Sequence, residues 1–542
     1  MPSNAESGPP SSEELAQLHR LARALDDLME ESLKTRESLA QSFRRIFPQL
    51  LTLTGAKGIV ITTRDEELIE RTFSEGDFGS TYPGHLLAGG NFGLRREGAD
   101  TLVSQALDVV GIEVGSIGLL FAGDRVGPPD GARLGRVLET VAEQLDNALA
   151  VIHTAAEKHQ LILQFNQYLS NRVFEKGMDQ AVLALAQRVR VPGFMLVFKD
   201  AVQTGSLHYR TYRNGHLEYE SGEQPFPALE ELIRRQGPEL ISAQNAQLRT
   251  VVGEQRCTEA VLISSGTSHE PLGKIIVWSG DDGFSSFTLD LLRVLASTLS
   301  QRLIDYNRER IHLSQFFSAG IIDELLQDPS YASRYLTPRD EQVGILFADI
   351  NGFTRICEQV LESPSRIGRF VDRWSDGVVD ILWRHRGVFD KMVGDCVIGI
   401  FGPPFFRTSG AERAAAAMRA AMEIQAFTEG MSSDPEVVRI KEQVNLPGLG
   451  VAIGIHLANT FCGVFGPNQQ YTGFSTGMNQ TARLQSLGGF RETLVMEPLR
   501  RALETSEDPA MRALQYGERM ETPVKNVAQP LRYFRLIPPG AK

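Results

Sequence analysis

At 542 residues the chain is longer than one hydrophobic core sustains, and about 150 residues per domain gives three or four units. A formal net charge of -12 without any Lys/Arg run argues against a nucleic-acid partner or an anionic bilayer, and no apolar run approaches the ~20 residues of a membrane span. Four cysteines (Cys257, Cys357, Cys396, Cys462), none in CxxC spacing, argue against a disulfide framework and a zinc site and fit a reducing cytoplasm.

The opening MPSNAESGPPSSEE lacks the basic-then-apolar order of a secretory signal and reads as a disordered tail. From Ser11 to Leu53 apolar residues recur at helical spacing among charges, which predicts one amphipathic helix of a kind that pairs with a second copy. Tail and helix onset occupy residues 1–35. Strand-like pieces (GIVITT, VGSIGLLFAG) between Gly-rich loops then give a small mixed domain over residues 36–152. A second helical stretch from Ala132 to Ala186 carries Leu134, Val137, Leu138, Val141, Leu145, Leu149 and Ile152 at spacings of three and four, a seam for helix packing. The same order recurs over 160–306: GFMLVFKD and LHYRTYR, helical ALEELIRRQ, EAVLISS and LGKIIVWSG, and a closing helix. On this repeated pattern, and on the ending DDGFSSFTLDLLRVLASTLSQRL, the N-terminal half resembles a tandem of GAF domains. That resemblance implies sensory or dimerising modules; it fixes no ligand. A small-molecule ligand and a purely dimer-holding role both stay open, since the Asn-Lys-Phe-Asp-Glu signature of cyclic-nucleotide binders is absent. Residues 307–342, punctuated by Pro329 and Pro338, read as a helical transducer into the last domain, 343–537.

In that last domain VGILFADINGFT ends an apolar run on Asp349, and GVFDKMVGDCVIGIF places Asp395 in a Gly-marked turn. A helical stretch, RFVDRWSDGVVDILWRHRG, separates them, which gives the β-α-β-β order of ferredoxin-like and palm-type domains. The whole chain is therefore expected to be α+β. In this order Asp349 ends the first strand, Asp395 follows the tip of the adjacent hairpin, and both face one cavity. Paired hard oxygen ligands suit two divalent cations and a triphosphate, so the pair points to phosphoryl transfer. Taken singly, either aspartate also fits an Asx-turn, a helix cap or a hairpin residue.

Four fragments in register, FADINGFT, KMVGDC, GVAIGIHLANTFCGVFG and YTGFSTGMNQTARLQ, resemble the catalytic domain of class III nucleotidyl cyclases. The resemblance implies an adenylate cyclase that converts ATP to 3′,5′-cyclic AMP and pyrophosphate with two Mg2+ or Mn2+ per active site. By resemblance Asp349, Asp395 and the Ile350 carbonyl are metal ligands, and the backbone through Asn351, Gly352, Phe353 and Thr354 wraps the phosphates. Asn479 and Arg483, four apart on a helix, would orient the ribose and neutralise the transition-state phosphate. Lys391, four before Asp395, and Thr472, seven before Asn479, take the base-reading places. An ammonium only donates hydrogen bonds, which suits adenine N1 and disfavours guanine. Lys525 in ETPVKNVAQPL holds the place of a family lysine near the polyphosphate, although Asn526 breaks the pattern. In this family each site is completed by two chains in a head-to-tail pair, which implies a homodimer.

Plainer readings exist for Lys391 as a surface hairpin lysine, for Asn479 as a helix cap and for Arg483 as a surface arginine. His456 reads as a core histidine, and Cys396 lacks a partner for nucleophilic work. Two departures matter: Ala458 stands where the family carries Gly, and the segment Phe474 to Asn479 lacks the usual Gly-Asp. A displaced glycine predicts an offset loop before Asn479. A catalytically degenerate nucleotide-binding or dimerisation regulator is therefore one alternative, and a guanylate cyclase another.

Overall fold

A computed structural model describes residues 11–538, apart from 36, 89, 91, 110–111, 124–127, 203–205, 253–255, 264–269, 280–282, 432–434, 445–446 and 524–529. The expected disordered tail lies mostly outside the described residues, and Lys525 lies wholly outside them. The chain divides into two compact units: Met1–Gln167 with Gln187–Val189 and Asp282–Leu295, and the remainder. No helix among the described residues is long and apolar enough to cross a membrane.

In the first unit the single helix expected from Ser11 to Leu53 is two helices, α1 (Ser12–Thr35) and α2 (Leu39–Thr54). The reason is local: Ser38 and Gln41 form a capping box, with Gln41 N donating to Ser38 Oγ at 3.3 Å and Ser38 N donating to Gln41 Oε1 at 3.0 Å. This reciprocal pair satisfies the donors of a fresh helix start. An antiparallel sheet follows, β1 (Gly58–Arg64), β2 (Glu70–Gly76), β3 (Gly93–Glu97), β4 (Asp100–Val109) and β5 (Ile112–Ala122), in the order β2-β1-β5-β4-β3. One face is covered by α1, α2 and the start of α3 (Pro128–Leu169), where Leu25, Phe43, Ile46, Val141 and Leu145 are fully buried or nearly so. The expected helical stretch from Ala132 to Ala186 is also interrupted. Asn171 Oδ1 accepts from Val173 N at 3.0 Å, and α4 (Phe174–Arg188) begins beyond it.

The second unit opens with another antiparallel sheet: β6 (Gly193–Lys199), β7 (Leu207–Arg213), β8 (His216–Glu220), β9 (Cys257–Ile263) and β10 (Pro271–Trp278), ordered β8-β7-β6-β10-β9. The first, second, fourth and fifth strands of the two sheets lie in the same order; the third strand pairs at opposite edges. Helices α5 (Pro227–Gln236) and α6 (Leu248–Val252) sit on one face over Met195, Tyr209 and Trp278. The long α7 (Ser286–Ser314) and the short α8 (Ala319–Leu326) then lead to the last sheet.

That sheet contains β11 (Arg339–Ile350), α9 (Phe353–Ile356), α10 (Pro364–Arg384), β12 (Gly387–Val393), β13 (Cys396–Phe401), α11 (Gly410–Gly430) and α12 (Pro435–Val444). It continues through β14 (Val451–Phe465), β15 (Gln470–Phe474), α13 (Thr476–Ser486), β16 (Thr493–Met496), α14 (Glu497–Glu504), α15 (Pro509–Arg512), β17 (Met520–Thr522) and β18 (Leu531–Arg535). The strand order is β12-β13-β11-β14-β16-β18-β17, with β15 paired only to the far end of β14. Its opening β-α-β-β is the split arrangement expected.

Strand alternation decides which residues face the site. Leu346, Ala348 and Ile350 of β11, with Val451, Ile453, Ile455 and Leu457 of β14, point into one core under α10 and α11. The intervening residues, Asp349 among them, therefore point to the opposite face, where α13 packs on β14 and β11.

Candidate active site

Asp349 and Asp395 converge. Strand β11 ends beside the β12–β13 hairpin, whose two-residue turn is Gly394-Asp395. Gly394 has φ +63°, the first-position geometry that glycine supplies in a tight hairpin turn. Ile350 N donates to Asp395 Oδ2 at 3.1 Å, which ties the turn to the strand end. Both carboxyls are half-buried. Burial, then repulsion from Asp349, pushes the Asp395 pKa up to about 7; burial also raises that of Asp349, opposed by hydrogen bonds from Asp395 and Gln485. Two like charges held this close share one proton near neutrality.

Such an uncompensated pair fits a divalent cation. No cluster of three or more His, Cys, Asp or Glu is present among the described residues, so the remaining ligands must be carbonyl, substrate phosphate and water. Magnesium is bound in this way, by one or two carboxylates plus phosphates. Cys396, next to Asp395, has its thiol pushed up to about 12 by burial and the two carboxylates, which removes it as a nucleophile at neutral pH.

Gly352 (φ +70°) turns the chain from the end of β11 into α9, which opens with Phe353 and Thr354. The Asn351 side chain has contacts of its own. Its Oδ1 accepts from Arg491 N at 3.1 Å and its Nδ2 donates to Gly489 O at 3.4 Å. The side chain is spent on tying the strand end to the loop before β16.

Lys391 and Thr472, the two residues expected to read the base, are in direct contact: Lys391 Nζ donates to Thr472 Oγ1 at 3.0 Å. One extra residue, Asp390, bulges β12 against β13 between Phe389 and Lys391. A bulge re-aims the side chains beside it. The Asp390 carboxylate is buried, which raises its pKa, and lies 3.6 Å from the Lys391 ammonium. Phe474 places its ring 5.9 Å from the same ammonium.

Asn479 and Arg483 share the exposed face of α13, whose buried face carries Gly477, Met478, Thr481, Leu484 and Gln485. Gln485 lies two residues past Arg483, about 200° around the helix, and it is Gln485 that reaches the chain's own Asp349. A single chain therefore brings the acid pair together and the Lys391–Thr472 pair together, and turns Arg483 away from its own aspartates. Gln485 was not singled out in the sequence; its signal was its place on the inner face of the MNQTARLQ helix.

Ser475 caps α13, its Oγ accepting from Met478 N at 3.0 Å, and the helix is regular from Thr476. A Cβ on Gly477 would stand 2.4 Å from the Ala458 Cβ on β14. The methyl on the strand is accommodated by the absence of one on the helix, so Gly477 makes room for Ala458. His456 is buried on the same strand face beside Gln480 (Nε2 to Oε1 3.3 Å), and burial lowers its pKa to about 4, consistent with a neutral core histidine.

The arrangement defines a class of domain: a palm-like sheet that brings paired carboxylates together at the end of its first strand. Comparison with known proteins places it more closely. Residues 336–534 match the family model of the adenylate and guanylate cyclase catalytic domain, and this part of the chain is a class III cyclase catalytic domain. The uncharacterized protein Rv1319c of Mycobacterium tuberculosis is 28% identical over 182 residues, 33% of this chain and 30% of that one. The uncharacterized protein Rv1320c of the same organism is 24% identical over 188 residues, 34% of this chain and 30% of that one. The chain thus spans about a third or less of the length of these curated relatives. Among solved structures, the adenylyl cyclase CyaB from P. aeruginosa is 20% identical, covers 37% of this chain and 96% of its own, and gives a TM-score of 0.33. The guanylyl cyclase Cya2 is 20% identical, covers 37% and 93%, and gives 0.31.

Proposed function

We propose that the chain is a cytoplasmic, homodimeric adenylate cyclase that converts ATP to 3′,5′-cyclic AMP and pyrophosphate, regulated through its two five-stranded N-terminal domains as GAF-like sensors of an unidentified small molecule. The observation that carries this reading is the half-buried, uncompensated pair Asp349 and Asp395 in a cyclase-type domain.

When bound, two divalent cations (Mg2+ or Mn2+) supply Lewis acidity to the ribose 3′-hydroxyl and to the triphosphate. The chain's residues do the rest. Asp349 and Asp395 hold the cations with the Ile350 carbonyl, while the turn from Gly352 to Thr354 follows the phosphates. Lys391, steadied by Thr472, donates to the adenine edge, a preference an ammonium has for an unprotonated ring nitrogen. Asn479 positions the ribose, and Arg483 spreads positive charge over the α-phosphate as pyrophosphate leaves.

The outward turn of Asn479 and Arg483 supports a site shared by two chains. Exposed apolar residues on β12, β14 and β15, namely Met392, Val393, Phe461 and Phe474, support the same conclusion, because such surface is ordinarily covered. The test is to incubate the full chain with equimolar ATP and GTP plus Mn2+ and identify the product by mass. Cyclic AMP is expected; a chain that releases no cyclic nucleotide, or chiefly cyclic GMP, overturns the assignment.

A further inference from the structure

The two strands that carry the base-reading pair are not neighbours in the sheet. Lys391 sits on β12, which pairs with β13, and Thr472 on β15, which pairs with β14 alone. No backbone ladder sets the separation between them. What spans it is the turn between α7 and α8. The Phe316 carbonyl accepts from Phe389 N at 3.1 Å and from Trp383 Nε1 at 3.3 Å, so it is fixed to β12 two residues before Lys391. The adjacent Phe317 is 1% exposed and presents its ring to Tyr471, centroids 5.3 Å apart at 67°, one residue before Thr472.

Tyr471 is fully buried and its hydroxyl has no hydrogen-bond partner among the described residues. A tyrosine held by no hydrogen bond is placed by packing, and an edge-to-face aromatic pair is a directional packing contact. On the other side of the turn, Arg310 near the end of α7 is buried, lies over the Tyr306 ring and pairs with Asp323 on α8. The two helices that flank the turn are thereby clamped to each other.

We propose that Phe317 is a positioning residue: through Tyr471 it sets where Thr472 meets Lys391, and so couples the connector helices to nucleobase recognition. This rests on the adenylate cyclase reading for its substrate. A shift of α7 and α8 as a unit moves Phe316 and Phe317 together, and with them the two strands that read the base. The device acts on affinity and base choice; the groups that do the chemistry stay in place.

The experiment compares the full chain with Phe317→Ala and Phe317→Leu, measuring kcat and KM for ATP and for GTP with Mn2+. Loss of an aromatic pair predicts a KM for ATP raised about two- to ten-fold in Phe317→Ala and a similar loss of ATP-over-GTP preference, with kcat within about two-fold. Phe317→Leu, which keeps most of the buried volume, should recover most of the loss and stands in if the alanine variant fails to fold. An unchanged KM and base preference alongside a lowered melting temperature would overturn the proposal, as would a fall in kcat alone. If the unmodified chain makes no cyclic nucleotide, the cyclase reading fails by itself. Equilibrium binding of a fluorescent ATP analogue to the same variants then decides the positioning role: weakened binding in Phe317→Ala supports it, equal binding rejects it.

Discussion

The acid end of the catalytic sheet, at Asp349 and Asp395, and its arm end, where Lys391 meets Thr472 of β15, handle charge in opposite ways. At the acid end Asp349 and Asp395 face each other half-buried, with raised pKa values and no cation among the described residues to offset them. At the arm end the Lys391 ammonium is already met by Thr472, Asp390 and the Phe474 ring. On the proposed reading, the charge left over at the acid end is what a divalent cation would neutralise. Base recognition would need a donor already aimed, and Thr472 and Asp390 hold the Lys391 ammonium before any substrate arrives. Preorganisation of this kind lowers what binding costs.

The largest effect should come from breaking the acid end. Asp349→Ala removes one of the two carboxylates proposed to hold the cations, and cyclic AMP formation should fall by more than about 100-fold, measured as product release with Mn2+. Arg483→Ala should lose on the order of 100-fold in kcat, as expected for removal of one charge-stabilising donor. Mixing these two inactive proteins sharpens the comparison. If the acid pair of one chain works with the Arg483 of another, half of randomly re-formed dimers carry one intact site of two, and about a quarter of the full activity should return. An unmixed, single-chain site predicts no recovery.

At the arm end, Lys391→Glu exchanges a donor for an acceptor and should reverse the ATP-over-GTP preference in kcat/KM by at least about ten-fold, while the two aspartates still bind Mn2+.

The pH dependence separates the ends further. A carboxyl raised to about 7 in the folded chain against about 4 unfolded stabilises the fold when protonated. In the metal-free protein that stabilisation is complete below about pH 4 and is lost as pH rises through about 7. Scanning the melting temperature from pH 5 to pH 8 should show this loss in the native chain and a flatter profile in Asp395→Asn. Manganese should raise the native melting temperature more at pH 8 than at pH 6, because the ion competes with the shared proton.

The smallest effect tests the compensation beneath α13. Gly477→Ala forces two methyls together and should cost about 1–3 kcal/mol in denaturant unfolding of the catalytic domain. Ala458→Gly in the same chain should relieve most of that, a coupling read from the double-mutant cycle.

Much of the catalytic domain was legible in the sequence because its signals are local. An apolar run ending at Asp349, a Gly-Asp hairpin turn and a four-residue spacing from Asn479 to Arg483 are each a property of adjacent residues. The helix breaks at Ser38 and Asn171 were readable in principle from their capping chemistry, yet helical periodicity across them concealed the starts. The part played by Asn351 was not legible, because its partners Arg491 and Gly489 are about 140 residues away in the chain. The same holds for Ala458: only its contact with Gly477 shows where its methyl is accommodated.

By itself the sequence determined the strand alternation that turns Asp349 away from the helical core, the residue types able to grip a cation and a base, and the order of elements that makes a palm-like sheet. Those follow from periodicity and side-chain chemistry. The tertiary structure alone decided that Gln485 and not Arg483 reaches the chain's own acid pair, that Ala458 meets Gly477, and that Phe317 bridges two strands no ladder joins. Each of these depends on distances between segments far apart in the chain, and such distances are set by packing, which no local pattern encodes.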